Sequence, residues 1–371
     1  MKIAIVTVNR ANNYGAVLQA YATQKVLSEL GETYIIDYDN RYISFRLDLI
    51  RYHKSLGLLA NVKFIIHDIL RIFSRYKAVK KFNSFILTYM NLTDKFSSKD
   101  LQNGKANEFD VYVCGSDQIW NPEIVTPQKK IDSNYFLSFA NKNALKLSYA
   151  SSFGHHKLTI NEQKQVKELL SEFTFVSVRE SDAKDMLESF MDNKQINHVL
   201  DPTLLLDKQE WLDTFELKEH NNYGDYILLY TAPRSELLKK AVAYFSKKLG
   251  LKVISIDQSF FPLANVDIHI KDAGPKEFVD YFANAKFVIT DSFHGVCFSI
   301  NFDKDFVAVA PGKKSNRLTS LINLLNLDNN LVSSEKEFEF INSKLDYTGV
   351  KLNLLNQIKQ SKETLFNSIK N

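Results

Sequence analysis

IAIVTVNRANNYGAVLQAYATQKVLSELGETYIIDY, residues 3–38, is the stretch that decides the fold. The apolar run at residues 3–8 predicts a short buried strand. Across residues 15–30 the apolar side chains recur at helical spacing, and Gly31 ends the predicted helix. A second apolar run follows at residues 34–38. Strand, helix and strand in this order form a β-α-β unit, which is how an open parallel sheet begins.

The same alternation continues along the chain and restarts after a polar break at residues 218–225. Further strands are predicted at residues 111–114, 145–150, 175–178, 226–230, 252–256, 287–290 and 306–309. We therefore predict an α/β protein of two Rossmann-like, doubly wound domains, residues 1–220 and 221–371, that face each other across a cleft. Residues 41–95 are predicted as a basic helical insertion in the first domain. The closing helix at 352–369 is expected to pack back on that domain.

The composition is that of a folded cytoplasmic protein. The 371 residues contain 47 Lys and Arg against 43 Asp and Glu, and a net charge of +4 is too small to indicate nucleic acid. Cys114 and Cys297 lie alone in apolar runs, so we expect two thiols in a reducing compartment. No apolar stretch reaches the roughly 18 residues that a membrane-spanning helix needs.

Cofactor and metal motifs are missing from the sequence. The loop at residues 9–14 lacks the GxGxxG pattern of dinucleotide sites, and no GxxxxGK[ST] phosphate loop occurs. No group of His, Cys and Asp residues has the spacing of a zinc site. We therefore predict neither a bound cofactor nor a metal.

Polar clusters directly follow four of the predicted strands, at residues 12–15, 115–117, 179–181 and 291–295. The carboxyl ends of parallel strands meet at one edge of a sheet, where such folds bind their ligands. The sequence therefore predicts that these clusters line the site.

The cluster at residues 290–295 combines a predicted helix N-terminus with a histidine. A helix N-terminus attracts anions, and the Ser292 hydroxyl and the backbone at Gly295 lie there. A histidine ordinarily titrates near neutral pH, so His294 is a candidate for proton transfer. The alternative, that His294 only holds the loop together, stays open.

Arg179 and Asp117 also follow predicted strands. An arginine fork can bind a carboxylate or phosphate with two hydrogen bonds, although a surface arginine is the more common case. Asp117 follows Gly115 and precedes Trp120. Spacing does not separate a helix-capping role for Asp117 from a role as base toward a sugar hydroxyl, with Trp120 stacked on a face of that sugar.

Six short motifs occur together in one order. They are NYGAVLQAYA at 13–22, CGSDQIWN at 114–121, SYASSFG at 148–154, SVRE at 177–180, DPTLL at 201–205 and TDSFHG at 290–295. Each motif alone is modest, but their order and spacing resemble the polysaccharide pyruvyl transferase family over residues 1–325.

This resemblance implies a GT-B-like fold and a transferase that uses phosphoenolpyruvate as co-substrate. The product is a pyruvate ketal on a hexose of a cell-surface polysaccharide or its lipid-linked precursor, with release of phosphate. The family's histidine, serine and strand-end arginine correspond to His294, Ser292 and Arg179. Arg179, Ser292 and Gly295 are therefore expected to bind the donor. The residues assigned to the acceptor are Asn12, Asn13, Tyr14, Ser116 and Trp120. Members often carry Arg or Leu where this chain has Phe293. Lys313, Lys314 and Arg317 are therefore candidates for the missing anion contact.

The basic stretch at residues 41–81 carries ten Lys and Arg against two acidic residues and mixes them with apolar side chains. Such helices can lie on anionic membranes, which would place the protein at the inner face of the plasma membrane, near a lipid-linked acceptor. The alternative is the solvated face of an ordinary helical insertion.

Two other functions stay open. A glycosyltransferase on the same fold would use a nucleotide sugar and would need an acidic or backbone contact to the nucleotide in the second domain. A non-catalytic partner in polysaccharide assembly would need no reactive groups, and the joint presence of Arg179, Ser292 and His294 argues against it.

Overall fold

The computed structural model describes residues 1–192, 194–218, 220, 222–232, 234–310, 316–341 and 344–370. By its internal contacts the chain divides into two compact units. Unit 1 comprises Met1–Ile65, Asn83–Leu205 and Asn356–Asn371, and unit 2 comprises Ile66–Phe82 and Leu206–Leu355. Each unit is described below by itself.

The described strands, in chain order, are β1 (Lys2–Val6), β2 (Glu32–Tyr38), β3 (Leu92–Phe96), β4 (Val111–Cys114), β5 (Leu145–Ser148), β6 (Val176–Val178), β7 (Ile196–His198), β8 (Tyr226–Tyr230), β9 (Lys252–Ile256), β10 (Ile268–Ile270), β11 (Phe287–Thr290), β12 (Asp305–Val309) and β13 (Leu331–Val332).

The described α-helices are α1 (Tyr14–Leu27), α2 (Arg41–Ser44), α3 (Leu58–Ile69), α4 (Ile72–Tyr89), α5 (Ser98–Gln102), α6 (Pro122–Val125), α7 (Ile160–Leu170), α8 (Ser181–Glu188), α9 (Lys208–Thr214), α10 (Glu236–Leu249), α11 (Pro275–Asn284), α12 (Phe293–Asn301), α13 (Asn316–Leu324) and α14 (Tyr347–Lys370).

Unit 1 contains a parallel sheet with the strand order β3-β2-β1-β4-β5. β6 and β7 form a separate parallel pair, and isolated bridges join Leu147 to Phe175 and Ser151 to Val178. From β1 the chain adds β2 and β3 on one side of the sheet and then β4 and β5 on the other side. The strand order therefore reverses between β1 and β4, and this parallel pair is the topological switch point. In doubly wound folds, ligands bind at the carboxyl ends of the strands at that point.

Unit 2 contains a six-stranded parallel sheet with the order β10-β9-β8-β11-β12-β13. Numbered from β8, this is the 3-2-1-4-5-6 order of the Rossmann fold, and its switch point lies between β8 and β11. The buried side chains of β8, β11 and β12 belong to one hydrophobic core with helix α10. The predicted α/β class with two Rossmann-like sheets is confirmed.

The units differ from the predicted domain bounds at residues 66–82, 206–220 and 356–371. Residues 206–220 group with unit 2, where the Trp211 ring lies 5.3 Å from that of Phe298. Residues 66–82 also group with unit 2, and Lys81 forms a 2.6 Å ion pair with Glu277 at the start of α11. The predicted helical stretch 41–95 runs into β3, a strand that the prediction missed.

The end of α14 groups with unit 1. There the Ser361 hydroxyl accepts a hydrogen bond from the Leu200 N–H at 3.2 Å. Lys362 lies 3.3 Å from a carboxylate oxygen of Glu29. Among the described residues, no helix combines the length and apolar character that crossing a bilayer would require.

Candidate functional site

The switch point of unit 1 is built by a close approach of β1 and β4. The Thr7 hydroxyl, just after β1, donates to the Ser116 carbonyl at 2.8 Å and accepts from the Gln19 amide at 2.9 Å. A Cβ on Gly115 would lie 2.8 Å from the Thr7 Cβ, a distance that real Cβ atoms essentially never show. Glycine is therefore required here, and it brings Ser116 and Asp117 to the carboxyl edge of the sheet.

The predicted acceptor residues at the start of α1 also lie at this edge. Asn13 is the N-cap of α1, and its side-chain oxygen accepts from the Ala16 N–H at 3.3 Å. Asn12 is half-buried, Asn13 is exposed and Tyr14 is buried. Because α1 follows β1, and Ser116 and Asp117 follow the neighbouring strand β4, the capped N-terminus of α1 lies at the same edge of the sheet as these two residues.

Asp117 has the left-handed backbone conformation, with φ at 75°. Non-glycine residues adopt this region rarely, and Asp and Asn adopt it more readily than most. The Asp117 carboxylate accepts from the Gln118 N–H at 2.8 Å, and its side chain is 16% exposed. The side chain is therefore mostly buried but is still reached from solvent. A group that meets a substrate hydroxyl needs such access.

Arg179 lies at the centre of a buried ion network in unit 1. Its Nη1 donates to Asp201 Oδ2 at 2.8 Å, and its Nε donates to Glu180 Oε1 at 3.2 Å. A carboxylate oxygen of Asp117 lies 4.0 Å from its Nη2. Burial lowers the pKa of the Arg179 guanidinium, but the three carboxylates outweigh it, so the pKa lies above its ordinary value. The guanidinium is 1% exposed and is engaged by the protein's own carboxylates.

Asp201 and Glu180 are the members of this network to which the sequence reading gave no role. Asp201 also accepts from the Ser116 hydroxyl at 3.0 Å and from the Thr203 hydroxyl at 2.7 Å. Glu180 accepts from the Ser152 hydroxyl at 2.8 Å. The available signal was their presence in the DPTLL and SVRE motifs, which place Asp201 and Glu180 within three residues of the ends of β7 and β6.

Trp120 does not have the environment predicted for it. Its ring is 1% exposed and stacks on Phe136 with 5.0 Å between the ring centroids. Its indole N–H donates to the Tyr135 carbonyl at 3.0 Å. Because the indole is enclosed on both faces and at its polar edge, it offers no surface to a sugar, and we assign Trp120 to the core.

The switch point of unit 2 holds the predicted donor residues in one turn. Ser292 is the N-cap of α12, and His294 and Gly295 follow in its first turn. A Cβ on Gly295 would lie 2.2 Å from the Thr290 hydroxyl oxygen, so only glycine allows α12 to start this close to the end of β11. The His294 ring packs edge-on against Phe293 at 5.3 Å. The geometry thus groups a hydroxyl, an imidazole and a helix N-terminus.

Ser292 occupies the N-cap position of α12, but its hydroxyl does not cap the helix. Its side chain makes no capping hydrogen bond within the part of the chain that the structure describes, and it interacts with the hydroxyl of Tyr230 instead. Burial raises the pKa of Tyr230, and the hydrogen bond with Ser292 opposes that rise. Tyr230 ends β8, so this contact joins the two strands of the switch point.

Asp291 holds the loop after β8 in place. Its carboxylate accepts from the Ala232 N–H at 2.9 Å, from the Arg234 N–H at 3.2 Å and from the Thr231 hydroxyl at 3.2 Å. Burial raises the pKa of Asp291, while these hydrogen bonds oppose the rise. Asp291 belongs to the TDSFHG motif and was not among the predicted site residues. In the structure its carboxylate fixes this loop.

Three further donor candidates remain. Arg317 lies in the first turn of α13 and is half-buried. Lys313 and Lys314 lie outside the described residues. The structure therefore brings Ser116, Asp117 and Arg179 together in unit 1, and it gathers Ser292, His294 and Gly295 in unit 2.

Two Rossmann-like sheets, each with polar residues at its switch point, define an α/β protein. The sequence profile described as Polysaccharide pyruvyl transferase matches residues 13–313. The chain belongs to the polysaccharide pyruvyl transferase family. Among curated protein sequences, none matches the chain significantly.

Solved structures with a similar course of the chain include two UDP-N-acetylglucosamine 2-epimerases and a heptosyltransferase. The Methanocaldococcus jannaschii epimerase is 11% identical, with a TM-score of 0.48, and the match covers 100% of this chain and 99% of that one. The Rickettsia bellii epimerase is 8% identical, with a TM-score of 0.48 and coverage of 99% and 95%. The E. coli heptosyltransferase WaaC is 10% identical, with a TM-score of 0.37 and coverage of 98% and 100%. Similarity this low carries no argument about activity.

Proposed function

We propose that the protein transfers the pyruvyl group of phosphoenolpyruvate to two hydroxyls of one sugar and forms a cyclic ketal. The observation that carries the proposal is the first turn of α12, where Ser292, His294 and Gly295 follow β11 at the switch point of unit 2. Phosphoenolpyruvate bears a phosphate and a carboxylate, and a helix N-terminus with a hydroxyl at its cap suits such an anion. The proposal assigns the donor to unit 2.

The acceptor is assigned to unit 1 because of the charges found there. One guanidinium, that of Arg179, is surrounded by the carboxylates of Asp117, Glu180 and Asp201. This excess of negative charge disfavours a polyanion and favours a neutral ligand that donates hydrogen bonds, such as a sugar. Arg179 is then a positioning residue that holds Asp117 and Ser116, and it does not contact the donor.

The chemistry is divided between two side chains. His294 protonates the methylene carbon of phosphoenolpyruvate, which becomes the methyl group of the product. A sugar hydroxyl attacks the adjacent carbon, and Asp117 accepts its proton. A second hydroxyl of the same sugar then replaces the phosphate group as the carbon–oxygen bond to phosphate breaks. Of the two hydroxyl protons, one balances the proton delivered to carbon and the other leaves with phosphate.

The nucleotide-sugar alternative receives less support from unit 2. In Rossmann folds an acidic residue at the end of the second strand binds the ribose of a nucleotide. Here that residue is Asp257, after β9, and it is engaged by the Arg234 guanidinium, which also donates to the Ser259 hydroxyl at 2.7 Å. A nucleotide would have to displace this ion pair.

The test is incubation of the purified protein with phosphoenolpyruvate and a panel of hexose acceptors. The proposal expects phosphate release that depends on the acceptor, together with a mass gain of one pyruvylidene group on the sugar. His294→Ala should abolish both the phosphate release and the mass gain. His156 lies 3.1 Å from Glu162. The control His156→Ala should retain both activities. Transfer from a nucleotide sugar without phosphoenolpyruvate would contradict the proposal.

A further inference from the structure

The first half of α3, residues 58–65, exposes an apolar stripe in unit 1. Leu58 is 79% exposed, Leu59 is 86% exposed and Val62 is 42% exposed. At 3.6 residues per turn these three side chains fall on one face of the helix. Large aliphatic side chains scattered over a surface are common, but a contiguous exposed stripe on one helix face indicates a binding surface.

The opposite face of α3 is fixed to the body of unit 1. Asn61 is buried, and its amide accepts from the His53 N–H at 3.0 Å and donates to the Leu56 carbonyl at 3.0 Å. The Phe64 ring lies 6.2 Å from that of Phe45, and the Arg51 guanidinium lies 4.4 Å above the Phe64 ring. The helix therefore cannot turn its apolar stripe inward without losing these contacts.

The segment before α3 continues the same character. Leu49, Ile50 and Tyr52 are exposed. Lys54 and Lys63 are exposed as well. Residues 49–67 contain three Lys and Arg and no Asp or Glu. Asp48, directly before this segment, is paired with Arg41. The exposed apolar side chains of residues 49–67 therefore have an excess of positive charge beside them.

We infer that this apolar-basic surface, formed by Leu58, Leu59 and Val62 with the exposed Lys54 and Lys63, docks on an anionic phospholipid bilayer. An interfacial helix buries its apolar face at the boundary of headgroups and acyl chains and keeps lysines at its edges, where their ammonium groups reach the headgroup phosphates. The sign of the charge selects the partner, because an anionic leaflet attracts such a segment. The described helices include none that crosses a bilayer, so the contact is peripheral.

The inference stands apart from the proposed chemistry, although the two fit together. An enzyme that docks on a bilayer reaches saccharides anchored in that bilayer by a lipid. Vesicle binding is measured without phosphoenolpyruvate or sugar, so its result does not depend on whether the transfer reaction is correct. Conversely, transfer to a water-soluble sugar does not depend on the apolar-basic surface.

The experiment measures co-sedimentation of the full chain with two kinds of vesicle, one of phosphatidylcholine alone and one with phosphatidylglycerol added. We expect binding to the anionic vesicles that weakens as salt is raised. Leu58→Asp/Leu59→Asp should weaken that binding more than about tenfold, because the double variant places two negative charges on the helix face that enters the bilayer. Lys54→Gln/Lys63→Gln should weaken it and reduce its dependence on salt.

The matched control is Leu352→Asp/Leu355→Asp in α14. These two leucines are also exposed, at 64% and 62%. This variant should bind the vesicles like the wild type. All variants change exposed side chains, so circular dichroism and the melting temperature should match those of the wild type. No binding to anionic vesicles by the folded wild type overturns the inference. A self-association that the Leu58/Leu59 variant abolishes, with no vesicle binding, also overturns it and assigns the surface to a second copy of the chain.

Discussion

Arg179 Nη1 and the Ser116 hydroxyl both donate to the same oxygen of Asp201, at 2.8 Å and 3.0 Å. Asp201 thereby joins the end of β6 to the end of β4, and the network holds Asp117 at the edge of the sheet. The two acidic residues that matter most to Arg179 are its neighbour Glu180 and a residue 22 positions later. This relationship gives the first prediction.

Arg179→Met should destabilise the protein strongly, by about 3–5 kcal/mol, because it leaves buried carboxylates without their guanidinium. The loss should shrink toward low pH, where protonation removes the uncompensated charges. Denaturant unfolding across acid and neutral pH measures this. Arg41→Met, which breaks an exposed pair with Asp48, should cost less than about 1 kcal/mol. Equal losses in the two variants would contradict the structural importance of the network.

Gly295→Ala should destabilise unit 2 by about 1–3 kcal/mol, since its Cβ would lie 2.2 Å from the Thr290 hydroxyl oxygen. The matched control is Gly349→Ala in the first turn of α14, where nothing lies within 4 Å of the added Cβ. Alanine favours a helix over glycine, so this control should be neutral or stabilising by up to about 1 kcal/mol. Thermal unfolding distinguishes the two. A stable Gly295→Ala protein would show that α12 can move away from β11.

Asp117→Asn should lower kcat about 10²- to 10⁴-fold if the carboxylate is the base toward the sugar hydroxyl. Asparagine tolerates the positive φ of this position, so the fold should be retained. Binding of phosphoenolpyruvate, measured by calorimetry, should be unchanged because the proposal places the donor in unit 2. A variant with wild-type kcat would remove Asp117 from the chemistry.

Asp291 should make the stability of unit 2 depend on pH. Burial raises its pKa in the folded state above the value near 3.9 of an unfolded chain. The native state therefore favours the protonated carboxyl, and the associated stability is complete below about pH 4 and is lost as pH rises through the raised pKa. Asp291→Asn cannot ionise. The unfolding free energy of the wild type, relative to that variant, should fall with rising pH in this window, and a constant difference would contradict it.

Central strands could be predicted from the sequence, whereas the edge strands β3 and β10 could not. The predicted bounds of β4, β8, β9 and β11 match the structure, because strands buried on both faces read as unbroken apolar runs. β3, with the sequence LTDKF, lies at the edge of its sheet and is half-exposed, so its sequence lacks such a run. β10, with the sequence IHI, was missed for the same reason.

The positions of the site residues followed from the sequence, but their contacts did not. A polar residue after a strand predicts placement at the carboxyl edge, and Ser116, Asp117, Arg179 and Ser292 all lie there. The partners of Arg179 depend on how β6 and the Asp201 turn meet, which no local pattern encodes. Trp120 shows the converse case, since a tryptophan beside a polar motif can equally belong to the core.

Unit 1 is assembled from three separate stretches, and its last stretch begins at Asn356. Leu200 donates to Ser361, and Glu29 pairs with Lys362. During translation Leu200 and Glu29 leave the ribosome long before these two partners do. The first unit to begin synthesis is therefore the last to be completed. Nascent chains stalled before Asn356 should stay sensitive to protease in their earliest residues, unlike those of proteins whose domains fold strictly in the order of synthesis.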